Sequence, residues 1–160
     1  GFKSHVKSWS KSVSGEESKA LRYYSTSTGA HVLNSTLPQK GEDGFLFDDD
    51  KKKLAHIDNA LAKSQAPYHM KVFRGVDGHV VNHLKVGDIF EDKGYVSTTI
   101  TEGSSFIGHQ LTIHIPKGSS GAYIKDHSSH PYEDEWLLPR GSRFRVVGRH
   151  LTKLQLELIP

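Results

Sequence analysis

An α+β fold is the class that this sequence predicts, and two observations carry it. Helix signals are confined to the first part of the chain, about residues 1–66, whereas about residues 67–160 consist of short extended runs separated by Gly and Pro. Strands that follow a block of helices, instead of alternating with them, argue against a doubly wound parallel sheet. A chain of 160 residues has room for one core, so residues 1–160 read as a single domain.

In chain order, Val13-Ser14-Gly15-Glu16-Glu17 sets a Ser three residues before a Glu. That reciprocal cap satisfies two free amide donors and predicts a helix over about Gly15 to Tyr24. After a Ser/Thr-rich break over Tyr24 to Gly29, His31 to Leu37 reads as a short second helix ended by Pro38, and Gly41 to Gly44 as a loop. Asp48-Asp49-Asp50 ahead of Lys51-Lys52-Lys53 puts acids at the start of a helix in which Leu54, Ile57 and Leu61 recur at helical spacing. This charge run reads as a solvated helix face rather than a docking patch. Strand candidates follow at Val72-Phe73, Tyr95 to Thr99, Leu111 to Ile115, Ala122 to Ile124, Glu135 to Leu138, Phe144 to Val147 and Leu154 to Leu158. Gly118-Ser119-Ser120-Gly121 reads as a hairpin turn, because it lacks the Lys-Ser/Thr and the helix of a phosphate loop. Gly103-Ser104-Ser105 lacks the second Gly of a nucleophile elbow.

Composition narrows the chemistry. Hydrophobic residues are 35%, charged residues 24% and the mean hydropathy is −0.52, polar for a globular chain but compatible with folding. A net charge of +3, a pI of about 9.0 and 11 His suit an anionic ligand without demanding nucleic acid. The absence of Cys excludes disulfides, thiolate zinc sites and cysteine nucleophiles, so chemistry falls to carboxylates, Arg, His, Ser, Thr or Tyr. No apolar run approaches the length of a membrane span. The amino end has neither an initiator Met nor a signal-peptide pattern, and Gly1 is expected to be a cut in a longer parent protein.

Three segments carry candidate chemistry. In Tyr132-Glu133-Asp134-Glu135-Trp136-Leu137-Leu138, glutamates at i and i+2 of a strand are expected to share one face, with Asp134 on the other. Such a pair suits an anomeric carbon, one carboxylate stabilising an oxocarbenium-like centre and the other handling a proton. By itself the pattern better fits two exposed acids on a strand edge. Arg74 ends the strand Lys71-Val72-Phe73 and can offer its fork of donors to a phosphate or carboxylate, while Gly75 lets a ligand approach the backbone. In Gly94-Tyr95-Val96-Ser97-Thr98-Thr99, the hydroxyls of Ser97 and Thr99 share a face and can orient a carboxylate, although Thr is common in any strand.

In this order the three segments resemble the ADP-ribosyltransferase fold, in the Arg, Ser-Thr-Ser, Glu-x-Glu class that includes the enzymatic components of actin-modifying binary toxins and many phage and bacterial effectors. The resemblance runs almost continuously from Val72 to Val147. It takes in Lys85 to Phe90, Leu111 to Pro116, Gly121 to Ile124 and Pro139-Arg140-Gly141-Ser142-Arg143-Phe144-Arg145-Val146, and extends more loosely to Tyr24 and Asn34 in the helical part. It implies amino-terminal helices packed on a β-sandwich of two mostly antiparallel sheets, and a mono-ADP-ribosyltransferase that cleaves NAD and modifies a target protein. By that resemblance Arg74 holds the NAD phosphates and the Gly75 backbone the nicotinamide amide. Ser97 hydrogen-bonds Glu135, which grips the ribose and stabilises the oxocarbenium ion. Thr98, Tyr24 and Asn34 join the NAD-binding set. Glu133 orients and deprotonates the acceptor, Glu there going with arginine acceptors and Gln with asparagine, glutamine or guanine. Phe106 takes the place of the aromatic beside nicotinamide. The chain departs from the class at Thr99, where many members have Ser, and at His109, where binary-toxin members carry a phosphate-binding Arg. With His at that second position, one hold on the NAD phosphates is expected to be missing or to depend on pH.

The loop Lys125 to Tyr132 is expected to be the acceptor-recognition turn, with the ring of His130 or Tyr132 packing on an arginine side chain. His127, His130 and Glu133 make a poor metal site, since a loop His-x-x-His lacks an ordered third ligand, and no metal is expected. Arg140, Arg143, Arg145, Arg149 and Lys153 form a basic run without the interleaved aromatics of a single-strand groove. It reads as a basic rim with Phe144 inward, nucleic acid being a partner left open but not favoured. The expected whole is a monomeric toxin or effector domain, secreted or injected within a larger protein. The alternative is an NAD glycohydrolase on the same fold, or ADP-ribosylation of RNA or of a non-arginine acceptor; an immunity protein is a partner left open, and a silent binding module the reading least favoured.

Overall fold

The computed structural model describes residues 1–35, 48–103 and 108–160. Helix α1 spans Phe2–Ser12, α2 Gly15–Tyr24, α3 Ser27–Ser35 and α4 Asp48–Ala62. The cap of α2 is the reciprocal one read from sequence. Ser14 Oγ accepts from the Glu17 amide at 3.1 Å, and Glu17 Oε1 accepts from the Ser14 amide at 2.9 Å. Helix α1 is an addition to the expected elements. It is held by Trp9, 4% exposed, whose indole donates to the Ala60 carbonyl of α4 at 2.8 Å. The Ser/Thr break after α2 shrinks to two residues, because Thr26 Oγ1 accepts from the Gly29 amide at 2.9 Å and starts α3 before His31. A Cβ on Gly29 would stand 1.8 Å from the Tyr23 carbonyl oxygen, so only glycine allows this corner. Leu37, Pro38 and the Gly41 to Gly44 loop lie outside the described residues. Buried Leu54, Ile57 and Leu61 of α4 join Trp9, Leu21, Tyr24 and Leu33 in one core beneath the β-rich body.

The strands are β1 Met70–Val76, β2 Ile89–Asp92, β3 Val96–Thr99, β4 His109–Ile115, β5 Ala122–Tyr123, β6 Glu135–Leu138, β7 Ser142–His150 and β8 Lys153–Ile159, with a single-turn helix α5 at Gly78–Val81. They run in the order β2-β7-β8-β4-β1-β3-β6-β5. Neighbours are antiparallel except β4 and β8, which run parallel with Ile113 opposite Leu156. The two sheets implied by the resemblance are five- and three-stranded portions of this one ladder, joined among the described residues by the strand pair Phe73 and Thr99. Val72, Ile113, Phe144 and Leu156 of the larger portion enclose a second core with Val96, Trp136 and Leu138 of the smaller.

Two local expectations are corrected. Residues 89–92 form an edge strand that was not among the candidates, because its exposed Ile89 and Glu91 and half-buried Phe90 and Asp92 give little apolar pattern. The turn after β4 is not a hairpin turn, since β4 pairs with β1 and β8 while β5 pairs with β6. Pro116 and Ser119 still close a tight turn there, with Gly118 at φ 88°.

Candidate active site

The site forms where the two portions of the sheet meet. Arg74, on β1, donates from Nη1 to the Ser97 carbonyl of β3 at 2.8 Å, bridging the seam beside the single Phe73 and Thr99 pair. Among the described residues no carboxylate lies within ion-pairing distance of it, so its charge is left for a ligand. A cavity of about 400 Å³ opens over Arg74, Gly75 and Ser97, with Glu133 and Glu135 across from them. A second cavity, of about 350 Å³, shares Arg74 and Gly75 and runs between the sheets past Asp92 and Phe144. Arg74 and Gly75 are therefore the threshold of a two-lobed cleft sized for a small-molecule ligand.

Glu135 opens β6 opposite Thr99 and is 7% exposed. Burial pushes its carboxyl up to about 7, and neighbouring Glu133 adds to the rise, while the Ser97 hydroxyl, Arg74 and His130 pull it down. Among the described residues none hydrogen-bonds its Oε2. A buried carboxyl with an unmet oxygen, on a residue that lines a cavity, marks a candidate functional group.

Behind Glu135 lies a chain of hydroxyls. The Tyr95 amide donates to Asn34 Oδ1 at 3.1 Å, which fixes the orientation of the Asn34 side chain and turns its NH₂ toward Tyr24 Oη at 2.8 Å. Tyr24 Oη therefore accepts from Asn34 and is free to donate to Ser97 Oγ, 3.4 Å away. Ser97 can in turn donate to Glu135, so every proton of the relay points toward the carboxylate. Tyr24 is only 2% exposed, and neither it nor Asn34 lines the cavity. The structure sets both behind Ser97, outside the lining of that cavity. Thr98 lies in the cavity wall but faces the core, its hydroxyl donated to the Trp136 carbonyl.

The strand geometry expected for the two glutamates is corrected. Glu133 ends a 3-10 turn at Pro131–Glu133, Asp134 follows in the left-handed region at φ 48°, ψ 52°, and β6 begins only at Glu135. The two carboxylates reach one cavity because the chain kinks at Asp134, not because they alternate along a strand. Asp134 contributes to the cavity wall, while its carboxylate turns toward Tyr123 and Lys125, which do not line that cavity. Its carboxylate accepts from Tyr123 Oη at 2.6 Å, Thr101 Oγ1 at 3.3 Å and Lys125 Nζ at 3.4 Å. The tyrosine hydrogen bond, before the lysine, holds it below the usual carboxylate range.

Glu133 is exposed, its Oε1 3.8 Å from His130 Nδ1. That His130 nitrogen is anchored 3.0 Å from the Ser25 carbonyl, and the ring stands edge-on to Tyr132, which is 75% exposed at the cavity mouth. His109 opens β4. It faces Val76 across β4 and β1, packs against Gly78, and lines neither cavity. Phe106 lies outside the described residues. His127 is a strut, with Nε2 2.8 Å from Ser10 Oγ and Nδ1 2.9 Å from Ser18 Oγ. Among the described residues no group of three or more His, Asp or Glu is placed to hold a metal ion. The basic run is partly structural, since Arg140 grips Asp58 with Nε at 3.1 Å and Nη2 at 2.6 Å, and Arg149 donates to the Val81 and Leu84 carbonyls. Sequence reasoning missed Thr101 and Asp92. Asp92 lies in the second lobe and accepts from the Gly94 amide at 2.9 Å, and its Asp-x-Gly turn pattern was the available signal.

The family model of the ADP-ribosyltransferase exoenzymes matches residues 3–158, and the chain belongs to that family. It is an ADP-ribosyltransferase, with NAD as substrate. The mono-ADP-ribosyltransferase C3 of Hathewaya limosa is 27% identical over 172 residues, covering 92% of this chain and 68% of its own. The NAD(+)–arginine ADP-ribosyltransferase EFV of Enterococcus faecalis is 24% identical over 151 residues, covering 86% of this chain and 30% of its own. The fold is shared with Staphylococcus aureus C3stau2, whose structure was solved with NAD, at a TM-score of 0.81 and 20% identity, covering 96% of this chain and 94% of that one. Among the described residues no helix is long and apolar enough to cross a membrane.

Proposed function

We propose that this chain is the monomeric catalytic domain of a secreted or injected toxin and transfers the ADP-ribose of NAD to an arginine of a target protein. The observation that carries this reading is one cavity walled by two unlike glutamates, Glu135 buried with a carboxyl near 7 and Glu133 exposed at the mouth beside Tyr132. Arg74 meets the diphosphate with a charge-assisted hydrogen bond. Glu135, once ionised, faces the positive charge that develops on the ribose as nicotinamide leaves, and burial strengthens that attraction. Glu133 accepts the proton that an incoming guanidinium must give up before its nitrogen can bond to the anomeric carbon. A relative named for arginine supports the acceptor.

The test is to supply NAD labelled in its adenylate portion, with agmatine as a small guanidinium acceptor and a cell lysate as a source of proteins. Label on agmatine and on protein arginine is the expected result. Label found only as free ADP-ribose assigns the cavity to NAD hydrolysis, and label on nucleic acid overturns the protein acceptor.

A further inference from the structure

Helix α1 plays no part in the cleft, yet it walls a groove of about 530 Å³ directly behind it. Phe2, Val6, Ile100 and Tyr123 make the apolar floor. Lys3, Lys7 and Lys11 stand along one rim at successive helical turns, all exposed, and among the described residues none meets a carboxylate. The helix itself carries no acid. The far rim holds Lys125 and Asp126, and Lys125 already leans on Asp134.

The groove and the catalytic cavity share a wall. Tyr123 lies in the groove while its hydroxyl holds Asp134, which lines the cavity, and the Ile100 amide donates to the Asp134 carbonyl at 3.1 Å. A segment lying along α1 would therefore pass within reach of the turn that carries Tyr132 and Glu133.

We infer that this groove is a docking site for an acidic, apolar-bearing segment of the acceptor protein, which the lysines of α1 draw in and the groove floor holds while the acceptor side chain enters the cleft. The inference rests on the protein-acceptor reading above. Three uncompensated cations over an apolar floor complement a segment of alternating carboxylates and apolar side chains. A concave floor with Phe2 packed edge-on against Tyr123 at 5.2 Å suits a polypeptide better than a flat bilayer, which favours the peptide over an anionic membrane.

The test uses the 160-residue chain and a variant with Lys3→Gln, Lys7→Gln and Lys11→Gln, since Gln keeps helix propensity and removes only charge. A fluorescent twelve-residue peptide alternating Glu and Leu is expected to bind the wild type, to lose about tenfold in affinity in the variant, and to weaken at high salt. A counterpart with Lys in place of Glu is expected not to bind. Equal binding of the acidic peptide by both proteins overturns the site, as does binding of phosphatidylserine vesicles without the peptide. In parallel, nicotinamide release and transfer to agmatine are expected to match between the two proteins while transfer into lysate protein falls about tenfold in the variant. A wild type that labels neither agmatine nor protein removes the protein-acceptor reading, and peptide binding still decides whether the groove is a docking site. Val6→Ser, which shortens the floor and keeps the lysines, is expected to weaken the peptide as well. If it does not, the groove does not hold the apolar side chains.

Discussion

The pH behaviour of Glu135 follows from its burial. A carboxyl that rises from the ordinary 4.5 to about 7 on folding binds its proton more tightly in the native state, so stability falls as pH rises from 4.5 through 7. The cost is fully expressed above 7 and is about 3 kcal/mol by the usual conversion. Glu135→Gln is accordingly expected to raise the thermal midpoint at pH 8 by several degrees, with the gain fading through pH 7 and absent by pH 4.5, while nicotinamide release is lost. Thermal unfolding across that range checks it, and a gain independent of pH would contradict it. In the proposed mechanism the ionised form of Glu135 does the work, so the relay behind it is expected to set the acid limb of kcat/KM for NAD. In Tyr24→Phe, Ser97 loses its donor and gives less to Glu135, and the limb is expected to move to higher pH. At about 1 kcal/mol for an ordinary hydrogen bond, the displacement is somewhat under one pH unit. A pH-rate profile of nicotinamide release measures it.

At the scale of elements, the turn before β6 places Glu133, and a left-handed Asp134 held by Tyr123, Thr101 and Lys125 holds the turn. Asp134→Ala removes those bonds and leaves a side chain in a conformation costing about 1–2 kcal/mol. Transfer to protein is expected to drop about tenfold or more and nicotinamide release by less, with Asp134→Asn in between, since Asn tolerates the same backbone. The ratio of the two rates reads this directly. The same turn shows what the sequence could not reveal. A Glu-x-Glu at the head of an apolar strand implies alternation, and only Tyr123, Thr101 and Lys125, brought in from other segments, override it. By contrast the α2 cap was legible because Ser14 and Glu17 act within one turn, and most strands because their inward residues alternate. Helix α1 was hidden because its serines and lysines mask a pattern that rests on Phe2, Val6 and Trp9. The placement of Tyr24 and Asn34 behind Ser97 depends on packing of α2 and α3 against β3, which no local pattern encodes.

Over the whole molecule, a helical core and a sandwich core meet along a seam crossed by one strand pair and by the Arg74 bond to Ser97. Arg74 belongs to neither core cluster and gives up one hydrogen bond to the Ser97 carbonyl, so Arg74→Ala is expected to fold and to weaken NAD binding by about 1.5–3 kcal/mol through loss of a charged hydrogen bond. Calorimetry with NAD checks it, and unchanged affinity would remove Arg74 from the ligand. The seam places one carboxylate in a dry interior and leaves the other at the mouth, and this separation is the basis of the proposed division of labour between donor cleavage and acceptor activation. Glu133→Gln probes it with little disturbance, since the side chain is exposed and, among the described residues, its ion pair is the 3.8 Å one with His130. Nicotinamide release and transfer to agmatine, measured together on this variant, give the most direct test. Transfer is expected to fall by about two orders of magnitude or more, the scale of a lost general base, while release stays within about tenfold of wild type. Equal loss of both in a folded protein would contradict the assignment of Glu133 to the acceptor.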